Sequence, residues 1–321
     1  MCIALISTAH PSYSLIIINN RDEFLHRPTS PPDWWPEPSS HVLGSRDLAR
    51  ATRGTWMGVT KQGKLAVLTN YREDTTSEAI GYYSRGVIVN SWLTGPTDKQ
   101  ETTRDFVQSI VTSAEAKQVG GFSLVCGHIN EPLAIVSNRS SDMDHISWVA
   151  TEKNETRGLS NTTFDDRSWP KIIDGEKLTA AAIKEHVQHE DEDEDALIDR
   201  LLQVLSTDTL PRLPEEHDTI ETYVHHLRKS IFVPIIGKAN DRGQVEEKLA
   251  AAQVEDEMET ATNEPPCQSY TSGPYGTQRQ TVLLARPDGR VRYFERTLYD
   301  NDAKAVPTGQ GDHSFEFNIS T

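Results

Sequence analysis

Short apolar runs broken by polar turns mark the 321-residue chain from its first residues. Ile3 to Thr8 reads as a strand, His10-Pro11-Ser12 as a turn, and Leu15 to Ile18 as the returning strand. The polar block Asn20-Arg21-Asp22-Glu23 closes that hairpin and comes back beside the start of the chain. Pro28 to Pro38 holds five prolines around Trp34 and Trp35, which predicts an ordered loop with the tryptophans plugging the edge of a core. Gly54 to Thr60 and Leu65 to Thr69 flank a Gln62-Gly63 turn as a second hairpin.

From Thr103 toward Val119 the apolar residues Phe106, Val107, Ile110 and Val111 recur at helical spacing. Gly121 to Gly127 and Leu133 to Ser137 predict a strand pair, with Ile146 to Val149 as a further strand. Cys126, among apolar neighbours, reads as a buried small side chain. Gly158-Leu159-Ser160-Asn161 marks a strand-to-turn junction, and Asp165 to Pro170 opens a helix from Lys171 onward. The acidic run Glu190 to Asp195 feeds the helical stretch Ala196 to Leu202. Acid at a helix start complements the dipole, so this run is expected to begin a helix and not to bind a metal.

Gly237 to Pro266 is polar, acidic and rich in Ala and Glu, and predicts a mobile loop with a transient helix around Val245 to Val254. Thr281 to Ala285 and Val291 to Glu295 close the pattern as strands around the turn Pro287-Asp288-Gly289-Arg290. Strand pairs, then helices, then strand pairs predict an α+β layered protein in one domain over residues 1–321.

Charge narrows the functions. A net charge of −16 argues against binding nucleic acid, or an anionic lipid surface, through general electrostatic attraction. Three cysteines, Cys2, Cys126 and Cys267, cannot form a disulfide framework and lack Cys-x-x-Cys spacing for zinc or covalent haem. No apolar run is long enough to cross a bilayer, and the start lacks the basic segment of a signal peptide. A cytoplasmic location is the default expectation.

The chemistry is concentrated at the start. If Met1 is removed, as is feasible before a side chain as small as Cys, Cys2 carries a thiol and a free α-amine on one carbon. Their ordinary pKa values lie close together, so the amine can relay the thiol proton and the thiolate can attack a carbonyl. Arg21 would depress the thiol, Asp22 would hold the ammonium or orient Arg21, and Asn20 offers an amide donor. The plainer alternative is a polar turn after a hairpin.

Met1-Cys2-Ile3, Asn20-Arg21-Asp22-Glu23-Phe24 and Arg27-Pro28 resemble the signature of the NRDE family, also called the transport and Golgi organisation family. The resemblance continues through Gly54 to Val59, Gly63 to Arg72, Gly158 to Asn161 and Tyr275 to Thr281, so it spans nearly the whole chain. Against that pattern, residues 237–266 resemble an insertion. The resemblance and the N-terminal Cys together imply a fold similar to the N-terminal nucleophile hydrolases: a four-layer αββα sandwich with two antiparallel sheets.

Within that wider fold, cysteine amidohydrolases acting on bile-salt and penicillin-type amides combine an N-terminal Cys, an early Arg and Asp, two separated Asn and a late Arg. Residue by residue, the resemblance implies Cys2 as nucleophile and base, with Arg21 and Asp22 in support. It implies Asn70 and Asn161 as oxyanion or amine-orienting donors, and Arg279 as a late cation. Arg and Asp are adjacent here where the amidohydrolases space them, so a second register puts Glu23 in the carboxylate position and Asn20 in place of Arg.

The resemblance implies a role in Golgi organisation and protein secretion, and in haem or lipid handling with haem as a carried ligand and no cofactor required. It also implies Golgi or mitochondrial association. The alternatives are an amidohydrolase taking a small acyl-bearing amide, and an acidic non-catalytic adaptor. None of the eleven His, including His10 and the pair His225-His226, has metal-ligand spacing to Cys.

Overall fold

Two strands set the frame. β1 (Ile3–Ser7) and β2 (Leu15–Phe24) are antiparallel, with Ile3 opposite Asn20 and Ser7 opposite Ile16. The computed structural model describes residues 1–72, 84–95, 102–113, 116, 119–139, 146–189, 191–214, 217–237 and 272–320. The expected insertion lies outside them apart from Gly237, as does the helix expected near Val245.

The polar block does not close the hairpin as a turn; it is the second half of β2. The reason is a long partner, β11 (Tyr275–Ala285), which pairs with β2 from Phe24 opposite Tyr275 to Leu15 opposite Ala285. With ladder bonds available on that edge, the backbone of Asn20 to Glu23 stays extended, and only the side chains need polar partners. β11 accordingly starts six residues before the predicted Thr281.

β12 (Arg290–Thr297) and β13 (Asp312–Asn318) extend the sheet on one side, and β10 (Thr156–Leu159) covers β1 on the other. The order is β10-β1-β2-β11-β12-β13. β13 was not anticipated. It is an edge strand whose alternate residues are exposed, so charged and polar positions dilute its apolar pattern.

The second sheet has the order β3-β4-β5-β6-β7-β8-β9. Its strands are β3 (Asp33–Trp34), β4 (Val42–Gly44), β5 (Met57–Thr60), β6 (Lys64–Asn70), β7 (Phe122–His128), β8 (Leu133–Ser137) and β9 (Ser147–Val149). The β5–β6 hairpin is the predicted one, turning at Gly63 with φ +85°. Trp35 fills the core edge as expected, its Nε1 donating to the Gly44 carbonyl at 2.9 Å.

Five helices occur among the described residues. α1 (Gly86–Leu93), to which the periodicity assigned no element, buries Val89, Trp92 and Leu93. Its start touches the preceding loop so closely that a Cβ on Gly54 would stand 2.8 Å from the Gly86 Cα. α2 (Thr103–Thr112) has a reciprocal Thr102–Asp105 capping box and ends well before Val119, where Ser113 turns extended. α3 (Pro170–Gln188) starts with Pro at its first position, as predicted. α4 (Glu194–Leu205) is capped by Asp193, which accepts the Ala196 N–H at 3.0 Å, so the acidic run does begin a helix. α5 (Ile220–Tyr223) is a single turn.

Three apolar clusters order these elements into four layers. Ile3, Leu5, Ile16 and Ile18 pack with Leu197, Leu201 and Leu205 between the first sheet and α3 and α4. Ala4, Ile6 and Ile17 meet Met57, Val59 and Val67 between the two sheets. Val42, Leu68 and Leu124 meet Trp92, Phe106 and Ile110 under α1 and α2. The result is the expected four-layer αββα arrangement, two antiparallel sheets between helical layers. Each fully buried Ile or Leu is worth roughly 1.5–3 kcal/mol, so the alternation along β1 and β2 binds both sheet faces.

Candidate active site

The β1–β2 register builds the site. Carried outward from the Ile3–Asn20 pair, it sets Cys2 against Arg21 and Met1 against Asp22. Opposite residues of an antiparallel pair share a face. Cys2 therefore follows Ala4 and Ile6 toward the second sheet, and Met1 follows Ile3 and Leu5 toward the helices.

The contacts agree with that placement. The Met1 ammonium stands 3.3 Å from Asp22 Oδ2, and it also donates to the Tyr275 hydroxyl. Asp22 Oδ1 accepts the Thr277 hydroxyl at 2.7 Å, and the Tyr275 hydroxyl donates to the Asp22 carbonyl at 3.2 Å. The Cys2 thiol points to that same carbonyl, 3.7 Å away. On the thiol side, Arg21 lies with its guanidinium 4.5 Å from the centre of the Trp56 ring and donates to Gln278 Oε1. Of the two registers left open by the sequence, it is Asp22 and not Glu23 whose carboxylate meets the N-terminus.

The other predicted residues separate into two groups. Asn161 is joined to the site through Ser160, whose hydroxyl donates to the Cys2 carbonyl at 2.7 Å and lies 3.3 Å from Asn161 Oδ1. Asn70 ends β6 on the adjoining segment, and the two segments are stitched by Thr69 Oγ1 to the Ser160 carbonyl at 2.7 Å and Arg72 N–H to the Asn161 carbonyl at 2.9 Å.

Asn20 and Arg279 spend their donors elsewhere. Asn20 faces the helices and donates to the Leu205 and Ile231 carbonyls at 2.8 and 2.9 Å. Arg279, opposite Arg21 across a bulge in β11, pairs with Glu295 at 2.9 Å and donates to the hydroxyls of Thr29 and Thr297. Glu23 accepts the Phe24 N–H at 3.0 Å and acts electrostatically on Arg21 and Arg85.

Several contacting residues were not singled out from the sequence. Tyr275 and Thr277 lie in the family-like stretch Tyr275 to Thr281, and Ser160 lies in Gly158 to Asn161, so the signal was present without a role. Lys171 had no such signal. Its ammonium donates to the Met1 carbonyl at 2.6 Å, with the Cys2 carbonyl at 3.4 Å.

Burial dominates the electrostatics. It pushes the Cys2 thiol up, and the Met1 ammonium pulls it part of the way back. It pulls the Met1 ammonium down, opposed first by the Asp22 carboxylate. Tyr275 is raised well above its ordinary value by burial and by Asp22, so its hydroxyl stays a donor. Desolvation brings Arg85, which acts on both Glu23 and Cys2, down to about 10, still a cation at neutral pH.

Among the described residues no three His, Cys, Asp or Glu side chains gather to hold a metal ion, and no helix is long and apolar enough to cross a membrane. The arrangement can join a thiol, an amine, a carboxylate and a guanidinium within one buried end of a sheet.

A family model described as Transport and Golgi organisation 2 matches residues 1–300. The chain belongs to the Transport and Golgi organisation 2 family. A curated member, the Transport and Golgi organization protein 2 homolog of Bos taurus, is 26% identical over 97% of this chain and 94% of its own. The human homolog is 27% identical over the same shares. An uncharacterized protein of Saccharomyces cerevisiae is 26% identical over 99% of this chain and all of its own length.

Among solved structures, the N-acylethanolamine-hydrolyzing acid amidase ortholog of Caenorhabditis elegans is 13% identical, with a TM-score of 0.41 over 65% of this chain and 87% of that one. A mutant of the conjugated bile acid hydrolase from Clostridium perfringens is 12% identical, with a TM-score of 0.37 over 100% and 98%.

Proposed function

We propose that this Transport and Golgi organisation 2 family protein serves Golgi organisation and protein secretion through a small-molecule site at Cys2. The chemistry of that site is acyl transfer, as an N-terminal cysteine amidohydrolase taking a small acyl-bearing amide. One observation carries the reading: the β1–β2 pairing that opens at Ile3 and Asn20 leaves the N-terminal ammonium 3.3 Å from Asp22 Oδ2 and the Cys2 thiol 3.7 Å from the Asp22 carbonyl.

Removal of Met1 frees an α-amine on the carbon that bears the thiol. The amine takes the thiol proton, and the thiolate attacks the amide carbonyl. Arg21 on the thiol's side of β2 and the Asn161 segment, joined to Cys2 through Ser160, receive the developing oxyanion. Collapse breaks the C–N bond, the ammonium returns its proton to the leaving amine, and water hydrolyses the thioester left on Cys2.

Cys2→Ser tests this in protein that begins at residue 2. Turnover of an acyl-amide panel by the parent, lost in the variant with folding unchanged, is the expected result. A parent that turns over none of the panel overturns the enzyme reading.

A second reading, a carrier of haem or lipid, is supported by the unprocessed chain. There the amine is buried, and a thiol pushed up by burial is a poor nucleophile at neutral pH. Haem and fatty-acyl titrations of the protein retaining Met1 test it, with saturable binding unaffected by Cys2→Ser as the expected result.

A further inference from the structure

Lys171 is a charged group at this site that the acyl-transfer scheme leaves unused. It is the second residue of α3 and fully buried. A cation there opposes the positive end of the helix dipole, and a buried ammonium forgoes its hydration. Among the described residues no carboxylate hydrogen-bonds the ammonium to offset either cost. The bonds of its Nζ run to two consecutive main-chain carbonyls, Met1 at 2.6 Å and Cys2 at 3.4 Å, and Asp22 acts on it only electrostatically.

Those two carbonyls flank the nucleophile. The Cys2 nitrogen is bonded to the carbon whose oxygen Lys171 contacts, so covalent geometry keeps it within about 5 Å of Nζ. The Cys2 carbonyl is held from another side by the Ser160 hydroxyl at 2.7 Å. When Met1 leaves, Lys171 loses its shorter bond and its ammonium faces the newly freed α-amine.

We propose that Lys171 is a positioning residue. It grips the main chain at Cys2 and, once Met1 is gone, holds the neighbouring α-amine in its neutral, proton-accepting form. The inference rests on the reading that the working chain begins at Cys2.

Like charges at that separation disfavour the ammonium, while the same cation favours the thiolate. Asp22 acts in the opposite sense on both, so Lys171 and Asp22 set the proton balance between them. The other groups facing the pair are Arg21 and Glu23 on β2, Tyr275 on β11 and Arg85 ahead of α1.

The test uses full-length protein released from a fusion so that Cys2 is its first residue, verified by intact mass. NMR of ¹⁵N-cysteine-labelled protein reads the α-amine titration, and iodoacetamide alkylation across pH reads the thiol. The wild-type amine is expected to titrate at least about one pH unit below the ordinary value near 8. Lys171→Met should raise it by about one unit and slow alkylation at neutral pH roughly tenfold, and Lys171→Arg should restore most of both.

An amine titrating at or above the ordinary value in wild type overturns the proposal, as does an unchanged pH profile in folded Lys171→Met. If Lys171→Met fails to fold, Lys171→Gln takes its place with the same two readouts and the same expected shifts. Neither readout needs amide turnover. A protein that cleaves no amide but shows the shift retires the enzyme reading and leaves the role of Lys171 standing.

Discussion

The N-terminal ammonium of Met1 stands 3.3 Å from Asp22 Oδ2, at the inner end of a sheet where neither group has access to much water. The pair ties residue 1 to the second half of β2. Removing one partner of a buried ion pair strands the other charge. In protein retaining Met1, Asp22→Asn is expected to lose about 1–3 kcal/mol of unfolding free energy, below the full buried-pair penalty because Tyr275 still accepts from the amine. Urea denaturation near neutral pH measures it, and a loss under about 0.5 kcal/mol would show that the pair is not structural.

Burial also masks the thiol. With burial holding the Cys2 thiol above its ordinary value, iodoacetamide should modify it at least about tenfold more slowly in the native Met1-bearing protein than in urea. Peptide mapping separates Cys2 from Cys126 and Cys267. Equal rates in the two states would contradict the buried site.

A histidine relay predicts the acid behaviour. The Ser12 N–H donates to His10 Nδ1 at 3.0 Å, so the proton of neutral His10 sits on Nε2 and is donated to His186 Nδ1 at 3.2 Å. His186 Nε2–H then donates to the Asp193 carbonyl at 3.0 Å. Burial, then His186 and Arg286, hold His10 down at about 4. The unfolded chain, with an ordinary value near 6.5, binds the proton first. Stability is therefore full above about pH 6.5 and falls as pH drops toward 4, by about 1–3 kcal/mol. His10→Gln should remove that slope, which urea midpoints at pH 6.5 and 4.5 would show. An identical slope in the variant would assign the acid sensitivity elsewhere.

The Arg279–Glu295 pair is a buried constraint on the outer half of the first sheet. Glu295 is fully buried and also accepts from the hydroxyls of Ser45, Thr281 and Tyr293 at 2.5, 3.3 and 2.9 Å. Arg279→Met is expected to cost about 3–5 kcal/mol, and Arg279→Lys to recover only a part, because one ammonium cannot reproduce the fork reaching Thr29, Thr297 and Glu295. Thermal melts of both variants check the order. A fully stable Arg279→Met would overturn the structural assignment.

Asn20 carries a smaller version of the same argument. Its amide bonds to the Leu205 and Ile231 carbonyls pin the helical layer to β2. Asn20→Ala should cost about 1–3 kcal/mol by leaving buried carbonyls unsatisfied, with Cys2 alkylation kinetics unchanged. Altered thiol kinetics in a folded variant would instead tie Asn20 to the site.

The apolar runs Ile3 to Ile6 and Leu15 to Ile18, the Gln62-Gly63 turn and the helical spacing of Phe106 to Val111 and Ala196 to Leu202 marked many of the elements in the sequence itself. The expectation of an N-terminal thiol once Met1 is removed was equally legible, because it depends on covalent neighbours alone. Tertiary pairing decided the rest. Asn20 to Glu23 look like a turn until β11, more than 250 residues away, supplies the ladder that keeps them extended. Asn20, Arg21 and Asp22 differ in role only because successive side chains of a strand leave on opposite faces, and β1 fixes which face meets the thiol. Lys171 was invisible in the sequence for the same reason: a lysine in the first turn of a helix reads as solvated, and only the packing of that turn against the chain start buries its ammonium over Met1 and Cys2.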